Sequence, residues 1–265
     1  MEERRKLGKN MENDKDKTAI APLSFSASEL LTGNIMKIIR NVFAFAAVPL
    51  IAAAAYALIR TFLDFTGKSA AIYMPFWAGV LCYVIFQIAF YKPMRTYVFG
   101  HELTHAFAGI LSGARIKKFK VGSESGHVIL TKDNIWITLA PYFFPIYTFA
   151  IIVIYLSLGW FTDIKPLYPY FLFFAGMTIA FHIALTIYII RIGQPDLKVY
   201  GGFFSYILII AVNIVVFSVL MAFVFPNEVS LENLFAAIYA NIVYFYAFLY
   251  EGILQIVTAF KTSNR

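Results

Sequence analysis

The sequence is short of charge. Only 14% of its 265 residues are Asp, Glu, Lys or Arg, where a soluble globular chain carries about 25%. One cysteine, Cys82, stands inside an apolar run. No disulfide can form within the chain, so a disulfide-stapled scaffold is excluded; a lone Cys in such a run reads as a small hydrophobe. There is no internal repeat and no low-complexity stretch, and the composition excludes wholesale disorder, collagen and a coiled coil. No apolar h-region follows the first charged residues, so no secretory signal peptide is expected.

What fills the space is hydrophobic. Sixty per cent of the residues are apolar and 18% are aromatic, a composition outside the soluble range and in the direction of a bilayer protein. A spanning helix needs about 20 mostly apolar residues. Six runs qualify: Val42–Arg60, Tyr73–Tyr91, Asn134–Leu158, Pro166–Ile190, Gly202–Phe225 and Asn233–Phe260. A shorter and less apolar run, Tyr97–Leu111, reads as a partly inserted or re-entrant helix. The expected fold is an all-α polytopic membrane protein with about six transmembrane helices. The short inserted helix and a small β-hairpin-like segment complete it. Residues 1–40 hold eight basic and six acidic residues and read as a flexible basic cytoplasmic tail, with a short amphipathic helix beginning near Ser28. Residues 41–265 read as a single transmembrane domain.

The basic residues supply an orientation. The formal net charge is +7, which in a soluble protein would suggest nucleic acid. No basic-aromatic motif accompanies the charge, so no nucleic-acid partner is expected. With six crossings and the short helix entering and leaving on one side, nineteen of the 22 Lys and Arg fall on the side of the N-terminus. The positive-inside rule then puts both termini in the cytoplasm. The cluster Arg115, Lys117, Lys118 and Lys120 is expected either to meet anionic headgroups or to sit on a strand that pairs with extended substrate.

The short run carries the chemistry. Residues 100–105 read Gly-His-Glu-Leu-Thr-His. On a helix, positions i and i+4 share a face, so His101 and His105 present two imidazoles to one metal ion. Glu102 lies beside it, where it takes a proton from water. Two of the four histidines fall in this pattern, and Glu102 is one of only two acids in the apolar runs, the other being Glu251. An ionisable residue inside a bilayer costs about 2.5–3.5 kcal/mol on insertion scales. Three on one short helix call for compensation, which Zn²⁺ supplies. The plainer alternative is a polar helix lining a hydrated cavity without metal.

The stretch Phe99 to Ala108, followed by Gly113-Ala114-Arg115-Ile116, resembles the metal-binding helix of site-2-protease-type membrane zinc metallopeptidases. In that family a short β-rich segment follows. Here Lys118–Val121 alternates, 122–126 reads as a turn and His127–Thr131 as a return strand. Ala140-Pro141-Tyr142-Phe143-Phe144-Pro145 is similar to the family's proline-interrupted helix. The resemblance covers roughly residues 95–205. It implies a zinc metalloendopeptidase that hydrolyses membrane-protein or peptide substrates within or near the bilayer. Glu102 would be its general base and His101 and His105 its metal ligands.

The family also implies a third ligand, an Asp within Asn-x-x-Pro-x-x-x-x-Asp-Gly on a later segment. The nearest match is Gly193-Gln194-Pro195-Asp196-Leu197. It keeps a Pro beside Asp196 but lacks the following Gly and the Asn. Other donors therefore stay open. His182 lies nine residues before Arg191, about 13 Å deep at 1.5 Å per residue. His101 and His105, six and ten residues beyond Arg95, lie about 9 and 15 Å deep on the same scale. His182 thus qualifies as a ligand, or as a hydrogen-bond donor to the reacting carbonyl if Asp196 is the ligand. Glu251 would instead make the site one of the membrane proteases with a Glu ligand, although Tyr250-Glu251-Gly252 lacks that class's motif. His127 reads as substrate-facing or structural.

Asn213, Asn241 and Gln255 read as interhelical hydrogen-bond partners. Pro141 and Pro145 break the backbone ladder of their helix, either as a packing kink or to expose carbonyls. A non-catalytic alternative, a transporter or a metal-binding scaffold, finds no repeat of the transporter kind.

Overall fold

The computed structural model describes residues 27–263, apart from 69, 91, 92 and 124. Positions 1–26 of the expected tail, and Lys92 and Arg265 among the nineteen basics placed on the inside, lie outside the described residues. Contacts divide the chain into a unit Met1–Arg40 and a unit Asn41–Arg265. In the first, the described part is helix from Ala27 onward. It opens α1 (Ala27–Lys68), whose first proline is Pro49, so residues 27–40 of the expected tail are helical.

The second unit continues with α2 (Ala70–Phe90), α3 (Met94–Leu111), β1 (Ile116–Val121) and β2 (Gly126–Leu130). Then come α4 (Ile135–Leu139), a 3₁₀ turn Ala140–Tyr142, α5 (Ile146–Leu158) and a 3₁₀ turn Lys165–Leu167. The chain ends with α6 (Tyr168–Ile192), the single turn α7 (Asp196–Val199), α8 (Gly202–Val224) and α9 (Leu231–Ser263). Among the described residues, five helical stretches are long and apolar enough to cross a membrane: Thr32–Asp64, Ala71–Phe90, Lys165–Ile192, Gly202–Val224 and Leu231–Thr262. The remaining expected span, Asn134–Leu158, is broken, with Ile135–Tyr142 and Ile146–Leu158 meeting at 80°. Pro141 and Pro145 have no N–H to continue the ladder, and their rings crowd the preceding turn. Counted as one crossing, the bent pair makes six. Among the described residues the architecture is helical with one small two-stranded sheet, consistent with an all-α polytopic membrane fold.

Two apolar clusters organise the second unit. One gathers Tyr73, Phe76, Phe171, Leu172, Leu220 and Phe225 from α2, α6, α8 and the turn beyond it. Within it, α2 and α6 approach until backbone meets backbone. A Cβ on Gly79 would lie 1.9 Å from the Phe173 carbonyl oxygen, and one on Gly176 would lie 2.1 Å from that of Phe76. Only glycine fits at either point, the small-residue contact by which helices in lipid gain close van der Waals packing. The other cluster, with Tyr97, Val98, Leu139, Tyr142, Leu185 and Leu197, supports α3.

The hairpin is antiparallel, pairing Phe119 with Val128, Lys120 with His127 and Val121 with Gly126. A register shift falls between Ile116 and Lys118. Gly122 N–H donates to the Ser125 carbonyl at 2.8 Å and closes the turn.

Candidate metal centre

Helix α3 starts behind Pro93, whose missing N–H costs nothing ahead of a first turn. Tyr97, Val98, Gly100, Glu102, Thr104, Ala106 and Gly109 are its buried residues. Glycine lets neighbours come close. A Cβ on Gly100 would stand 2.6 Å from the Tyr147 ring, and one on Gly109 2.7 Å from Leu130. Tyr147 uses the approach to donate its hydroxyl to the Thr96 carbonyl at 2.6 Å. The histidines stand one turn apart on this helix, as their spacing requires.

Asp196 arrives from the far end of α6. That helix ends at Gly193 with φ +77°, a left-handed conformation that glycine adopts without a Cβ penalty. Pro195 then caps α7, which begins with Asp196, and Leu197 is fully buried. The chain turns back and delivers the carboxylate to the two imidazoles.

Three donor atoms meet there. His101 Nε2 and His105 Nε2 are 3.2 Å apart. Asp196 Oδ2 lies 3.5 Å from the first and 3.6 Å from the second. A tetrahedral ion bound at about 2.0–2.1 Å by N and O ligands separates its donors by about 3.3–3.4 Å. The triangle's edges of 3.2, 3.5 and 3.6 Å lie within about 0.2 Å of that separation. His101, His105 and Asp196 therefore form a group that can hold a metal ion, and the only such group of three or more among the described residues.

The hydrogen bonds around the triangle set its lone pairs. His105 Nδ1 donates to the Ile137 carbonyl at 2.7 Å. That carbonyl is free because Pro141, four residues on, has no N–H to return to it. With Nδ1 carrying the hydrogen, Nε2 of neutral His105 presents a lone pair to the cluster. His101 Nδ1 lies 3.2 Å from the Tyr97 hydroxyl, which accepts from it in the same tautomer. Tyr142, fully buried, donates its hydroxyl to Asp196 Oδ2 at 3.2 Å. Burial alone would raise the Asp196 carboxyl. Hydrogen bonds and charge from His101 and His105 outweigh it and hold the group well below the usual carboxylate range. Lone pairs that converge this closely repel one another unless a cation lies between them.

Glu102 stands beside the triangle. It is buried, and its carboxylate accepts from the Val128 backbone N–H of β2. A Cβ on Gly126 would lie 2.7 Å from Glu102 Cγ, so the strand lies against this side chain only because residue 126 is glycine. His101, Glu102, His105 and Asp196 all line one open cleft of about 520 Å³, with β2 residues Gly126–Leu130 along its wall.

The other sequence candidates lie elsewhere. His182 is buried on α6 with Nε2 unpartnered. With His101 it lines a small separate cavity of about 20 Å³, and it stands outside the donor triangle. Glu251 is exposed on α9, also outside it. His127 lines the cleft from β2. Tyr97, Tyr142, Val128 and the Ile137 carbonyl went unnoticed in the sequence. A proline four residues after Ile137 was the one available signal, since it marks a carbonyl without a helical partner. No family model, curated protein or solved structure matches the chain.

Proposed function

We propose that the protein is a membrane-embedded zinc metalloendopeptidase that cleaves membrane-protein or peptide substrates within or near the bilayer. The observation that carries this reading is the donor triangle beside a buried Glu in an open cleft. His101, His105 and Asp196 are its zinc ligands. Zinc held there supplies a water acidified toward pKa about 7 and a Lewis acid for the scissile carbonyl.

The chain's own residues do the rest. The Glu102 carboxylate, steadied by the Val128 N–H, accepts a proton from the attacking water as its oxygen bonds to the carbonyl carbon. The same carboxyl returns that proton to the departing nitrogen as the C–N bond breaks. Asp196 holds its charge without a proton against two imidazoles. β2 runs along the cleft wall, where an extended segment can pair with it by strand addition. A helical substrate unwinds first, because a helix keeps its carbonyls in hydrogen bonds. The excess of basic residues on one side supports cytoplasmic termini, with the cleft opening toward that side.

The test is Glu102→Gln in the full chain in detergent or nanodiscs. Zinc stoichiometry stays at one per chain while cleavage of a model transmembrane substrate stops. Unchanged cleavage, or no zinc bound by the wild type, overturns the proposal. Partner binding or ion flux in liposomes that ignores Glu102→Gln favours the scaffold or transporter reading.

A further inference from the structure

The bent crossing frees more than one carbonyl. Pro141 leaves that of Ile137 to His105. The helix also stops between Tyr142 and Ile146, so the Tyr142 carbonyl has no place in a regular ladder. Asn213, on α8, takes it: Nδ2 donates to the Tyr142 carbonyl at 3.1 Å and to the Ile209 carbonyl of its own helix at 2.9 Å. The amide thus ties residue 142 to α8 across 71 positions of sequence. From that fixed backbone the Tyr142 ring, fully buried, reaches the cluster. It lies edge-on to the His101 ring at 5.5 Å between centroids, and its hydroxyl donates to Asp196 Oδ2, the oxygen that faces both histidines.

Asp196 needs such support. It stands at the start of a four-residue helix behind a glycine turn, and a helix that short has little rigidity of its own. Its side chain is held by the two imidazoles and by Tyr142.

We infer that Tyr142 and Asn213 are positioning residues for the metal centre: Asn213 fixes the broken crossing, and through it Tyr142 orients Asp196 as a ligand. The inference rests on the metal reading above. It adds that the strength and symmetry of the site depend on a residue of α8 that touches no ligand. Hydrogen-bonded partners of metal ligands typically change affinity 10- to 100-fold when removed.

The experiment measures zinc affinity by competition with a chromophoric chelator, and the visible spectrum of the Co²⁺-substituted full chain. Tyr142→Phe keeps the ring and loses the hydroxyl. Its zinc affinity falls about 10- to 100-fold, and its Co²⁺ bands shift. Asn213→Leu weakens binding in the same direction. The double variant is no weaker than the stronger single variant, because the two residues act in series. A Tyr142→Phe protein with wild-type affinity and spectrum overturns the inference. So does full additivity of the two substitutions. Should Asn213→Leu not yield folded protein, Tyr142→Phe decides alone. A wild type that binds neither Zn²⁺ nor Co²⁺ fails earlier, and overturns the metal reading along with this one.

Discussion

Two acids lie in the apolar runs, and the molecule treats them in opposite ways. Glu102 is buried on α3, held by a backbone N–H, with a glycine opposite that leaves it room. Glu251 is exposed on α9, and its side chain has no hydrogen bond or ion pair among the described residues. The helices differ likewise. Helix α3 contacts both strands and the broken crossing. The most apolar stretch of α9 buries none of its residues within the chain. Hydropathy alone cannot separate the two acids, because both interrupt an apolar run. Their neighbours do: one has imidazoles one position before and three after, the other has Tyr250 and Gly252. In a lipid setting polarity marks a site where the fold turns it inward and gives it partners.

The comparison breaks most sharply at the acids themselves. Glu102→Gln is expected to lower turnover by at least about 10²-fold, the lower range for losing a general base, with zinc retained. Glu251→Gln leaves turnover within about twofold, the size of a surface change of ±0.5 kcal/mol. Loss of zinc from Glu251→Gln would reverse the assignment and point to the Glu-ligand class. Next in size is the third ligand. Asp196→Ala removes one of three protein donors, and metal analysis of the purified chain should find the site largely empty, while Glu251→Ala retains its zinc.

Acid sharpens the same contrast. Protons compete with metal for imidazole and carboxylate. Zinc should leave as pH falls below the ordinary histidine range of about 6.5, and chelator-monitored release should follow that fall. The Asp196 carboxyl, held low by the two imidazoles, adds a term of its own. For a depressed acid the stabilisation is present above its unfolded value and is lost as pH drops toward the folded one. A site that keeps its zinc at pH 4 contradicts this donor set. The smallest effect belongs to Gly126. Gly126→Ala puts a methyl 2.7 Å from Glu102 Cγ, and overpacking of this kind costs about 1–3 kcal/mol. Thermal unfolding in detergent should register the loss, and turnover should fall with it as Glu102 is displaced. Gly252→Ala on α9, where a Cβ meets nothing within 4 Å, should do neither.

Much of this was written locally in the sequence. Runs of about 20 apolar residues make spans, alternation around a turn makes a hairpin, and four positions make one turn of helix. These features fold from neighbours, so a reader of neighbours finds them. Asp196 was less legible. Its place beside the histidines depends on a glycine turn and on chain returning from the end of α6, and only the family resemblance singled it out from His182 and Glu251. Tyr142 and Asn213 were not legible as parts of the site. Their bonds join positions 54 and 71 apart, and no periodicity records such a distance. Asn213 read as a link between helices, which it is, but what it links to was hidden. The helix expected near Ser28 does start at Ala27, but it is not short: it runs unbroken to Lys68.

The paired glycines of α2 and α6 bear on what can move. Gly79 fits against Phe173 and Gly176 against Phe76, two notches cut three residues apart on each helix. A slide of one residue along either axis would drive a side chain into backbone at both notches. The pair works as a key in a keyway: it tolerates no axial travel. Relative movement within this unit therefore belongs to parts without such teeth, such as α9, whose most apolar stretch buries none of its residues within the chain.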